Sequence, residues 1–162
     1  MKRELIKKAE IKLVGLSART NNKAELDPQT AKIRGLIERF WFMNLAAQIQ
    51  NRANPGVALS VYTDYETDEH GDYTYFIGEE VSAFEKLPSE MSSLTIPAAQ
   101  YQKFTTASGS IPEIVIQAWQ EIWQMTAVDL GGQRAYQADF ELYDQRASDL
   151  NNASLDIYIG LK

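Results

Sequence analysis

The sequence contains no cysteine. Disulfide frameworks, thiol nucleophiles and zinc–thiolate sites are therefore excluded. Histidine occurs once, at His70, between Glu69 and Gly71 in a polar stretch. That setting reads as a solvated loop residue rather than a general base or an axial haem ligand. No apolar run reaches the roughly 18 residues that a membrane span needs. The opening Met1-Lys2-Arg3-Glu4 is charged but leads into Leu5-Ile6-Lys7-Lys8-Ala9-Glu10 instead of an apolar leader segment, so no signal peptide is read. The expected location is the cytoplasm. Nucleophile-elbow, P-loop and dinucleotide glycine patterns are all missing. The acidic positions Asp64, Glu66, Asp68, Glu69 and Asp72 lack the residue order of a calcium loop and read as a solvated hairpin loop. Glu79, Glu80 and Glu85 read as surface charge. No cofactor is implied.

Basic charge is also in deficit. Sixteen Lys and Arg stand against 22 Asp and Glu, for a net charge of −6. The basic residues are scattered, apart from Lys7-Lys8 and a few on the first expected helix. Binding to the phosphate backbone calls for a basic face, so no direct nucleic-acid partner is expected. An acidic surface instead favours the approach of cationic ligands.

What is present is an ordinary globular composition, with 44% hydrophobic and 23% charged residues in 162. That is the size of one domain, read as 1–162. Residues 3–20 read as a strand pair or one long bent strand, with Gly15 as a bulge. Asp27-Pro28 reads as a helix start. The helical stripe Ile33, Leu36, Ile37, Phe40, Trp41 follows, and Asn54-Pro55-Gly56 ends it. Val57 to Tyr65 alternates as a strand and returns through Tyr73 to Gly78. Ser92–Ile96 and Gln100–Thr106 read as strands broken at Pro97. Ser110-Ile111-Pro112-Glu113 has the form of a capping box, ahead of the stripe Ile114, Val115, Ala118, Trp119, Ile122, Met125. Strands at 136–143 and 155–161 close the chain.

Phe76-Ile77-Gly78 echoes Tyr158-Ile159-Gly160. The order of elements therefore predicts two pseudo-repeats, about 1–85 and 90–162. The expected fold is α+β: β-α-β-β twice, in one antiparallel sheet with both helices on one face. Phe140, Leu142, Ile157 and Ile159 are assigned to the covered face. The other set is Asp139, Glu141, Tyr143, Asp156 and Tyr158, with Ala58, Ser60, Tyr62 and Asp64 on the Val57 strand.

That second face has two readings. It is a solvated surface, or it forms a pocket in which tyrosine rings and a carboxylate select flat, greasy cations. Phe40, Trp41, Trp119 and Trp123 read mainly as core, with some lining a cavity between helix and sheet.

Several segments resemble a known family: Val61-Tyr62-Thr63-Asp64-Tyr65, Tyr73 to Gly78, Ile96-Pro97-Ala98-Ala99-Gln100-Tyr101, Ile122-Trp123, Ala138 to Asp144 and Asp156-Ile157-Tyr158-Ile159. They are similar to the effector-binding domains of multidrug-sensing regulators and gyrase-inhibitor-like proteins, and more narrowly to stand-alone integron-associated effector-binding proteins. The resemblance implies a ligand cleft between the two halves for amphipathic, often cationic, small molecules. It places Glu141 opposite the ligand's charge, with Tyr143 pointing the same way. Tyr73 or Tyr75 faces the cleft from the first half, and Trp119 forms a wall. Tyr62 and Trp41 complete the expected ligand-binding set. The chain opens on the first strand, so no DNA-binding segment is expected, and action alone or with a separate protein partner is. Two other readings stay open. One is a hydrolase in which Glu141 and a tyrosine activate water. The other is a module that blocks a larger protein such as a gyrase.

Overall fold

The computed structural model describes all 162 residues. Its strands form where side chains alternate: β1 (Lys2–Lys8), β2 (Ile11–Thr20), β3 (Ala58–Thr63), β4 (Tyr73–Glu80), β5 (Ser92–Ile96), β6 (Ala99–Thr105), β7 (Ala138–Tyr143) and β8 (Asp156–Leu161). Helices α1 (Asn22–Glu25) and α2 (Ile33–Phe42) follow β2, and α3 (Glu113–Trp123) and α4 (Ala127–Leu130) follow β6. The same order of elements thus occurs twice. No helix is long and apolar enough to cross a membrane.

All strands join one antiparallel sheet in the order β1-β6-β8-β7-β3-β4-β2-β5. β1 and β2 do not pair with each other. They are consecutive segments of one bent strand that runs against β5–β6, with Lys8 opposite Ala99 and Ile11 opposite Ile96. Of the two expectations for residues 3–20, the long bent strand holds. The two halves meet at β3 and β7, where Ser60 faces Glu141 and Tyr62 faces Asp139.

Both long helices cover the same face. α2 lays Phe40, Ile33, Leu36 and Ile37 on Val14, Leu16, Tyr75 and Ile77. α3 lays Ala118, Trp119 and Ile122 on Phe104, Ile157 and Ile159. The opposite face is not solvated. Leu13, Leu59, Val61, Phe76, Ile96, Tyr101, Phe140 and Tyr158 form a further buried cluster there.

The face assignments of β7 and of β3 therefore need correction: on β3, Ala58 and Tyr62 pack under the helices, and Leu59 and Val61 take the other face. Phe140 is opposite Tyr158 and Glu141 is opposite Ile157, so Glu141 and Tyr143 lie under the helices while Phe140 stacks on Tyr158 with centroids 4.5 Å apart. Alternation separates the two sets within a strand. It does not fix the phase between strands when both faces are apolar.

The start of α2 differs too. Asp27 closes a tight turn by accepting from the Gln29 N–H at 2.9 Å. The first helical N–H groups instead meet Glu25, which accepts from Lys32 N at 2.9 Å and Ile33 N at 3.0 Å. A carboxylate at a helix N-terminus both satisfies orphan donors and complements the dipole. Ser110 caps nothing, since its hydroxyl donates to the Asn151 carbonyl. The true capping box is Thr126 with Asp129, ahead of α4. Glu79 is not surface charge: it is 1% exposed.

Gly15 is not a bulge either. The β2–β4 register runs unbroken through it, with Gly15 opposite Gly78. A Cβ there would lie 2.0 Å from the Ile77 carbonyl oxygen, so the glycine permits close approach of two backbones. Gly15→Ala is expected to cost about 1–3 kcal/mol in urea denaturation. Gly35, in α2, has nothing within 4 Å of an added Cβ, and Gly35→Ala is expected to stabilise by about 0.5–1 kcal/mol in the same measurement.

Candidate functional site

Four acidic side chains are buried: Glu79, Asp139, Glu141 and Asp156. A buried carboxylate is costly unless a cation or several donors compensate it. Three of the four have an arginine. Glu79 is gripped by Arg52 through Nε and Nη2, at 2.9 and 2.8 Å. Asp139 meets Arg134 at 2.7 Å. Asp156 meets Arg146 at 2.8 Å and accepts from the Thr105 hydroxyl at 2.7 Å.

Glu141 makes no ion pair. Its carboxylate is held by three neutral donors instead. Tyr62 Oη and Trp119 Nε1 each donate to Oε2 at 2.9 Å, and Tyr143 Oη donates to Oε1. Strand alternation explains the convergence. Tyr143 is two residues beyond Glu141 on β7, and Tyr62 is two residues beyond Ser60, the β3 partner of Glu141. Trp119 comes down from the buried stripe of α3.

Around this carboxylate the rings pack edge to face. The Tyr62 centroid lies 5.6 Å from that of Tyr73, 5.5 Å from Tyr75 and 5.3 Å from Trp119. Tyr75 turns its hydroxyl to Ser60 at 2.7 Å, and Tyr73 turns its hydroxyl to Asn22 at 2.8 Å. Tyr62 is in contact with both the α2 cluster and the α3 cluster, so it floors the line where the two halves meet. Trp119 leans on Trp123, which is 45% exposed.

Of the expected residues, Glu141, Tyr143, Tyr62, Tyr75, Tyr73 and Trp119 come together. Trp41 does not. It is 46% exposed and touches the ring of Phe40, because the buried edge of α2 runs through Ile33, Leu36, Ile37 and Phe40. Tyr65, Arg134 and Tyr136 were not singled out by the sequence. Tyr65 donates to Asp139 at 2.7 Å, and Arg134 stacks on Tyr136 with Cζ 4.3 Å from the ring centroid. Arg134 sits in an irregular stretch where periodicity carries no signal.

The electrostatics follow from burial. Burial pushes the Glu141 carboxyl above its ordinary value, and the donors Tyr143, Trp119 and Tyr62 offset only part of this. Burial, and then the charge of Glu141, push the Tyr62 and Tyr143 phenols far up, so both stay protonated donors at neutral pH. A folded-state value raised above the unfolded one means that the folded chain holds more protons between the two. Stability then falls as pH rises through that window. Glu141→Gln keeps an acceptor for Tyr62 and Trp119 and can donate to Tyr143, but cannot ionise. It is expected to be at least as stable as the parent at neutral pH in urea denaturation, with its relative advantage shrinking below the ordinary carboxylate range. A variant markedly less stable at neutral pH would mean that the charge of Glu141 serves the fold.

A family model described as integron-associated effector binding protein matches residues 4–161. YobU of Bacillus subtilis (strain 168), named as a candidate transcriptional regulator, is 31% identical over 151 residues, covering 93% of this chain and 92% of YobU. The crystal structure of an integron cassette protein from the mobile metagenome of Vibrio cholerae is 27% identical, with a TM-score of 0.79 over 99% of this chain and 95% of that one. SAV2435 bound to tetraphenylphosphonium shares the fold at 21% identity, with a TM-score of 0.76 over 100% of this chain and 94% of that one. With its fold and nearly its whole length matched, the chain belongs to the family of integron-associated effector-binding proteins.

Proposed function

We propose that the chain binds an amphipathic aromatic cation where its two halves meet, with Glu141 as counter-charge and Tyr62, Tyr143, Trp119, Tyr73 and Tyr75 as walls. One observation carries this reading: Glu141 alone among the buried acids has no arginine, and aromatic donors surround it. Every other buried carboxylate is already neutralised by the protein. This one is left for a charge that the protein does not supply. The binding of tetraphenylphosphonium by SAV2435, a protein of the same fold, supports the choice of ligand chemistry.

Glu141 is 2% exposed, so a cation reaches it by displacing a ring. Tyr62 and Tyr143 are half-buried and are the rings with room to move. Loss of a donor to a charged acceptor costs about 1.5–3 kcal/mol. Direct pairing with the cation and its contact with the remaining ring faces offset that cost. Specificity then rests on charge and aromatic area more than on directional hydrogen bonds.

Calorimetry with tetraphenylphosphonium and with neutral triphenylphosphine oxide tests this. The parent should bind the cation and discriminate against the neutral compound. Glu141→Gln should weaken the cation by at least about thirtyfold, or ~2 kcal/mol, and leave the neutral compound unchanged. Because the free carboxyl is raised, affinity for a permanent cation should climb with pH through the Glu141 titration. Equal cation affinity in the folded variant would overturn the reading.

A further inference from the structure

Asp139 and Glu141 stand two residues apart on β7 and face the same side, about 7 Å apart along the strand. The surroundings of Asp139 repeat the chemistry proposed for Glu141, with one difference. Tyr65 Oη and Arg134 Nη2 both lie 2.7 Å from Asp139 Oδ2, and Gly160 N–H donates to Oδ1 at 2.8 Å. The guanidinium lies over the Tyr136 ring, and Tyr136 meets Tyr65 edge to face at 5.7 Å. A planar organic cation between a carboxylate and tyrosine rings is what an occupied cation site looks like. Here the cation comes from the protein.

Three observations separate Arg134 from a purely structural arginine. First, the Nε groups of Arg52 and Arg146 donate to carboxylates, Glu79 and Asp144, whereas Arg134 Nε is buried without a hydrogen bond, and Arg134 Nη1 lies 3.6 Å from Glu69 Oε2, which also makes none. Second, the Arg134 side chain reaches inward and is 8% exposed, against 28% for Arg52 and 41% for Arg146. Third, Tyr136 holds a left-handed backbone at φ 50°, a conformation that bulky residues rarely adopt. Tyr65 and Tyr136 also line an open groove of about 650 Å³, together with Asp64 and Lys162. The rings Tyr136, Tyr65, Tyr73 and Tyr62 follow one another at 5.7, 6.0 and 5.6 Å and link this site to Glu141.

We propose that Arg134 is a tethered occupant of a second cation site, built from Asp139, Tyr65 and Tyr136, and that by filling it Arg134 limits the cleft to ligands with one positive centre. The second half of the proposal rests on the reading of Glu141 as counter-charge; the first half does not.

The first half is tested by chemical rescue. Methylguanidinium at millimolar concentration should raise the melting temperature of Arg134→Ala. It should not raise that of the parent or of Arg134→Ala/Asp139→Asn. No rise, or the same rise in all three, would overturn it. Should Arg134→Ala not fold alone, refolding yield with and without methylguanidinium gives the same comparison, and a yield indifferent to the cation overturns the proposal.

The second half is tested with benzyltrimethylammonium and para-xylylene-bis(trimethylammonium). The ratio of dication to monocation affinity should rise about tenfold or more in Arg134→Ala relative to the parent and fall back when Asp139→Asn is added. An unchanged ratio in folded Arg134→Ala, or a rise that persists in the double variant, would overturn it. Failure of the parent to bind any cation would instead refute the reading of Glu141 and leave the rescue result standing.

Discussion

A carboxylate taken out of water must be compensated, and this constraint organises the interior of the protein. Four buried acids meet it in two ways. Glu79, Asp139 and Asp156 carry arginines, and each pair ties a loop to the sheet: Arg52 from the segment before β3, Arg134 from the segment before β7, Arg146 from the segment before β8. Glu141 is compensated by phenol and indole hydrogens. Breaking a buried ion pair by removing one partner is costly, on the order of 3–5 kcal/mol, and less so where solvent screens it, as at Arg146, which is 41% exposed. The three arginine pairs therefore stabilise a particular chain path. The fourth site fixes no loop, and its carboxyl is left with a raised affinity for protons. A group held at such a cost, at the meeting point of two halves, is suited to binding rather than to folding.

The sheet makes that placement possible. Because β3 and β7 pair antiparallel at the centre, each half contributes one strand to the same floor. Each half also contributes one long helix above it. Tyr62 comes from the first half, Trp119 and Tyr143 from the second, and all three reach one carboxylate. The bent strands β1–β2 and β5–β6 close the opposite face around its own apolar cluster. That face takes up the aromatic residues Phe76, Tyr101, Phe140 and Tyr158, while Tyr62, Tyr73 and Tyr75 lie on the helix-covered face.

Much of this was legible from pattern. Alternation located the strand segments, without deciding whether residues 3–20 are one strand or two, and grouped Glu141 with Tyr143, Ser60 and Tyr62. Helical spacing placed Trp119 with Ala118 and Ile122. Family resemblance singled out Glu141 and implied the cation. The phase between β7 and β8 was not legible, because Phe140 and Ile157 are equally apolar and both faces are buried. Nor was the exposure of Trp41, which continues the periodicity of α2 just beyond the edge that the sheet covers. The caps at Glu25 and Thr126 arise from contacts that a fixed short motif does not anticipate. Arg134 lies outside any periodic segment, and its partner Asp139 looks in sequence like one more polar residue on an alternating strand.

The central claim is that Glu141 is a carboxyl without a cation from the protein, whose charge is completed by a ligand. The most direct measurement is a carbon-13 NMR titration of the Glu141 side-chain carboxyl, in the free protein and in the protein saturated with tetraphenylphosphonium. The account predicts a titration above the ordinary carboxylate range in the free protein and a clear fall when the cation is bound. An identical titration in both states would contradict it, because a cation that leaves the carboxyl unmoved is not its counter-charge.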